Sequence, residues 1–63
     1  MIELNLPSMT CAHCVRSVTD TVKKVDPEAR VDVSLEQHRV AIESSLPAAD
    51  FAAALAEEGY APA

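Results

Sequence analysis

Two hydrophobic periods follow one another within the first 25 residues, and that switch narrows the fold more than any other feature of the chain. Ile2, Leu4 and Leu6 are separated by single polar residues, Glu3 and Asn5, the period of a strand with one buried face. Pro7 and Ser8 end that run. Val15, Val18, Val22 and Val25 then recur at spacings of three and four, leaving Arg16, Thr19, Asp20, Lys23 and Lys24 for solvent. This is the apolar stripe of an amphipathic helix. Asp26-Pro27 stops it, because the residue before a proline is biased out of helical geometry.

The remainder repeats the theme. Val31, Val33 and Leu35 alternate with Asp32 and Ser34, and Val40 and Ile42 follow across Glu36-Gln37-His38, which reads as a hairpin. A second helix opens near Ser44-Ser45-Leu46-Pro47, where proline suits the first turn. Phe51, Leu55 and the alanines supply its inner face, Asp50 lies near its positive end, and Gly59 is a natural C-cap. Tyr60-Ala61-Pro62 adds a last short strand, with Pro62 acceptable at an edge. The order is βαββαβ. Two right-handed crossovers fold it into an α+β, ferredoxin-like sandwich: a four-stranded antiparallel sheet with both helices on one face. With 63 residues the chain is one domain, 1–63, burying about 60% of the surface its unfolded form exposes.

The chemistry gathers in PSMTCAHCV, residues 7–15, which holds both cysteines, Cys11 and Cys14. They could form a disulfide, exchange thiols or hold a metal. No charged n-region or long apolar segment precedes the first strand, so neither a signal peptide nor a membrane span is expected, and the expected compartment is the cytoplasm. Thiols are kept reduced there, which disfavours a structural disulfide. Ten acidic residues against five basic ones, a formal charge of -5, argue against nucleic acid, whose phosphates are bound by clustered Lys and Arg.

Topology sharpens the metal reading. If the first strand runs upward, its loop to the first helix, the hairpin and the turn after the second helix all lie at the top, so Cys11, Cys14, His38 and Tyr60 share one end. Cu(I) is soft and prefers thiolates, and two sulfurs three residues apart at a helix start can clasp one ion at low coordination number. A partner thiolate can then enter as one of the first two leaves. The positive end of the helix favours the thiolate of Cys14 and, less strongly, that of Cys11.

Met9 could offer a thioether, but a flexible apolar side chain anchoring the loop in the core is the better reading. His13 lies about 100° or more around the helix from Cys14, which makes it an exposed loop residue or an interface group rather than a ligand in a monomer. His38 reads as an ordinary polar hairpin residue. Tyr60 either packs on the start of the last strand or shields the metal loop from water and oxidant. Glu57-Glu58 and the Asp26/Glu28 pair read as solvated helix ends and turns, or otherwise as part of an acidic docking surface. No catalytic constellation can be assembled, so no enzyme activity is expected.

Met9-Thr10-Cys11-Ala12-His13-Cys14 at the first strand-to-helix junction, together with Glu58-Gly59-Tyr60 near the end, resembles the heavy-metal-associated domain family. Within it the chain is most similar to small bacterial copper chaperones of the CopZ type. The resemblance implies a reversible Cu(I) carrier that hands its ion to the N-terminal metal-binding domain of a copper-transporting P-type ATPase. It allows a copper-bridged homodimer, and it places a tyrosine or lysine at the Tyr60 position in soluble carriers. Ser8 departs from the family, which commonly has glycine before the methionine. Met1 directly before the first strand favours a protein that stands alone over a domain cut from an ATPase.

Two other readings stay beside the copper carrier. One is a carrier of Zn(II), Cd(II) or Hg(II) on the same fold. Zn(II) wants four ligands, and the loop has no carboxylate beside Cys11; mercury carriers resembling this fold are exported, and no export signal is seen. The other is a small thiol-disulfide redox protein, for which the chain lacks the length and elements of a thioredoxin-type fold.

Overall fold

The computed structural model describes residues 1–10 and 12–63; the expectation placed on Cys11 lies outside the described residues. Five elements follow in order: β1 (Ile2–Asn5), α1 (Ala12–Val25), β2 (Arg30–Ser34), β3 (Arg39–Glu43) and α2 (Ala48–Glu57). The strands form an antiparallel sheet in the order β1-β3-β2. Register sorts the two faces. Ile2, Ile42 and Val31 share one row and Leu4, Val40 and Val33 another, all pointing to one side because strand side chains alternate. Between these rows stand Glu3, Ala41 and Asp32, on the face turned to water.

Both helices cover the apolar face. Val18 and Val22 of α1 and Phe51 and Leu55 of α2 are fully buried in one cluster with Leu6, Met9, Ala29, Val40 and Ile42. Val18 and Val22 are successive positions of the valine stripe, so the period of the sequence sets the face that packs. Thr21 is the buried polar member of α1, and its hydroxyl is satisfied by donating to the Ser17 carbonyl at 2.8 Å. Lys23 and Lys24 occupy the last turn of α1, where cations complement the negative helix end.

The end of α2 has the bonding of a Schellman motif. Gly59, with φ at +91°, donates its N–H to Ala56, and Tyr60 donates to Leu55, which satisfies carbonyls that a helix end leaves open. Here the expected fourth strand fails. Residues 60–63 form no strand; in the fourth-strand position the Ala63 N–H donates to the Asn5 carbonyl at 2.9 Å, as a ladder bond would. The reason lies at the helix end: Tyr60, which should open the strand, is still bonded through its N–H to Leu55 in the cap of α2. The tail therefore lies beside β1, in the fourth-strand position, without extending the sheet.

Candidate metal centre

The site is built from the top of β1. Leu6 is fully buried, and its carbonyl accepts the Met9 N–H at 3.0 Å, closing a four-residue turn over Pro7 and Ser8. Proline is favoured at the second position of such a turn. Among the described residues other than glycine, His38 alone has a positive φ, so Ser8 sits in backbone that any residue adopts. The departure from glycine at this position therefore carries no left-handed strain.

Met9 is also fully buried, so its thioether belongs to the core, as expected. Thr10 is exposed, and α1 starts at Ala12. Cys14 is the third residue of α1; it is half-buried and packs against the core cluster. His13 is exposed. The first turn of α1 carries no acidic side chain, so its positive end faces no competing carboxylate on its own helix and favours a thiolate at Cys14. Tyr60 is half-buried and packs on the core, close in sequence to the tail that bonds Asn5 at the top of β1.

His38, expected as an ordinary polar hairpin residue, does more than that. Its ring Nδ1 lies 2.8 Å from the Met9 carbonyl oxygen and its own carbonyl accepts the Leu6 N–H at 2.7 Å. A carbonyl can only accept, so Nδ1 carries the hydrogen. The β2–β3 hairpin is thereby tied to the loop that leads to the cysteines, which places His38 at the metal end as the topology required. The one local signal for it is that histidine is among the residues enriched at positive φ; the contact itself joins residues 29 positions apart.

Among the described residues no three His, Cys, Asp or Glu side chains come close enough together to hold a metal ion. Nor, among those residues, is any helix long and apolar enough to cross a membrane.

The profile of the heavy-metal-associated domain matches residues 3–61. The chain belongs to the heavy-metal-associated domain family. Over the full length of both chains this domain is similar to the copper chaperone Atx1 from Synechocystis PCC6803, with 33% identity and a TM-score of 0.95. A structure described as a gold binding protein is 32% identical with a TM-score of 0.95, covering 98% of this domain and 95% of that chain. The COP-associated protein of Helicobacter pylori (strain ATCC 700392 / 26695) is 37% identical over 43 residues, which span 68% of this domain and 65% of the relative's length.

Proposed function

We propose that this heavy-metal-associated domain is a Cu(I) carrier of the cytoplasm, without enzymatic activity, that holds the ion between the thiolates of Cys11 and Cys14. What supports this most is the position of Cys14 in the first turn of α1, packed on a core that matches a copper chaperone along the whole chain. Two thiolates suit a soft monovalent ion and leave it open to attack. A thiolate of the receiving protein binds first, giving a three-coordinate ion, and one of the carrier's sulfurs then leaves. The receiver in this reading is the N-terminal metal-binding domain of a copper-transporting P-type ATPase. Exposed His13 serves contacts with that partner or with a second copy in a copper-bridged homodimer, while Tyr60 covers the site rather than ligating it.

A second reading is favoured by the resemblance to the gold binding protein. The same thiolate pair would accept other soft ions that tolerate two-coordination, such as Au(I) or Hg(II).

Anaerobic competition against a Cu(I) chelator tests the site. The reduced wild type is expected to take one ion per chain at low copper load, whereas Cys11→Ser and Cys14→Ser lose tight binding and keep the far-ultraviolet circular dichroism of the wild type. Either variant holding Cu(I) with wild-type affinity would overturn the two-thiolate site. Parallel titrations with Au(I), Hg(II) and Zn(II) decide between the two readings.

A further inference from the structure

One residue outside the cysteine motif grips both ends of the turn that leads into it. The His38 carbonyl accepts the N–H of Leu6, its ring donates from Nδ1 to the carbonyl of Met9, and Leu6 and Met9 are bonded to each other. The backbone geometry that allows this is specific. His38 has φ at +53°, the left-handed region, and donates its own N–H to Leu35 to close the hairpin turn. Residues other than glycine, asparagine, aspartate and histidine adopt that region rarely. The hairpin thus presents a carbonyl and a ring donor together toward the same turn. Both bonded turn residues are anchored below by burial, since Leu6 and Met9 are fully buried.

We propose that His38 is a positioning residue for metal exchange: by holding Leu6 and Met9 it fixes the chain two residues before Cys11 and so slows the escape of the ion from the thiolates. The proposal rests on the carrier reading above. Outer groups that orient a metal-binding segment tune the metal without touching it, and a loop held in its bound geometry loses less freedom when the ion arrives. An ion held by two sulfurs leaves when one of them swings away or an incoming thiolate displaces it. A clamped Met9 carbonyl restricts the first route and leaves the second open. His38 would then favour handing the ion to a docked partner over loss to solvent.

Two variants separate the ring donor from the backbone. His38→Gly keeps the left-handed conformation and removes the donor. His38→Asn tolerates that conformation, and its side-chain nitrogen lies as many bonds from the Cα as Nδ1 does, so it restores the donor. Two readouts are taken at a temperature where all forms are folded: Cu(I) release to excess chelator, and amide hydrogen exchange at Met9 in the metal-free protein. In His38→Gly both rates are expected to rise about threefold to tenfold, the effect of one hydrogen bond, with His38→Asn returning both to within about twofold of wild type. Wild-type rates in His38→Gly, or rates in His38→Asn equal to those of His38→Gly, overturn the proposal. Should His38→Gly fail to fold, the ring of the wild type decides: nitrogen chemical shifts must show hydrogen on Nδ1, and the Nε2–H tautomer overturns it. A wild type that binds no Cu(I) would defeat the carrier reading, while the exchange and tautomer measurements still decide the clamp.

Discussion

Met9 shows how a single residue can be misread from its chemistry alone. It stands two positions before Cys11 with a soft sulfur that Cu(I) would accept, yet its side chain is fully buried and its N–H and carbonyl are both bonded, to Leu6 and His38. To reach an ion at the surface the thioether would have to leave the core. Met9→Leu conserves volume and should cost under about 1.5 kcal/mol, with Cu(I) affinity unchanged. Met9→Ala opens a cavity and should cost about 2–5 kcal/mol, a large share of the roughly 3–9 kcal/mol expected for a chain this size. Chemical denaturation and chelator competition on both variants check this. A tenfold affinity loss in folded Met9→Leu would put the sulfur on the metal. The burial of Met9 was legible because a flexible apolar side chain suits the irregular gap where a strand passes into a loop. The task of His38 was not, because nothing in the local pattern of a hairpin tip records a partner on another loop.

At the scale of the element, β1, β2, β3 and α1 follow the periods written in the sequence, since one-sided burial imposes a period of two on a strand and 3.6 on a helix. Pro47, expected in the first turn of α2, instead stands just before it as the N-cap, with extended φ and ψ of −64° and 147°, and so still marks where that helix begins. The C-terminal strand is where this reasoning stops working. Alternation cannot show that a helix cap has already used the Tyr60 N–H. The cap therefore decides the tail, and Gly59 is its hinge. A Cβ at Gly59 would meet nothing within 4 Å, so substitution there carries a backbone penalty and no clash. Gly59→Ala should lose about 1–2 kcal/mol, lowering the melting temperature by about 4–8 °C for each kcal/mol in a domain of this size. Gly59→Asn should lose less, because asparagine tolerates the left-handed region. Thermal melts of the three proteins check the ranking, and an alanine variant as stable as the wild type would remove the cap from this role.

Taken as a whole, the molecule is stitched at both ends of its sheet, with different bonds at each. At the metal end His38 binds Leu6 and Met9, and Ala63 binds Asn5. At the opposite end the turn after α1 is tied to the turn after β3: the Ser44 hydroxyl donates to Asp26 at 2.6 Å, Asp26 also accepts the Glu28 N–H at 3.0 Å, and the Lys23 ammonium donates to the Ala29 carbonyl. Asp26, expected as a solvated turn residue, is thus the link between two loops. The Ser44 hydrogen bond, followed by the Glu28 N–H and the nearby charge of Lys23, holds its carboxyl below the ordinary value of 3.8. A carboxyl whose folded pKa is depressed adds stability that is present above its unfolded pKa and is lost as pH falls through the folded one. Asp26→Ala should therefore melt below the wild type at pH 7, and the difference should shrink as pH falls from about 4 toward 2. Cu(I) affinity at pH 7 should stay at the wild-type value, since the substitution lies at the far end of the sheet from Cys14. Thermal melts of both proteins across that range, with one chelator competition at pH 7, carry the test. A melting difference that stays constant down to pH 2 would mean that the ionised carboxylate is not what joins the two turns.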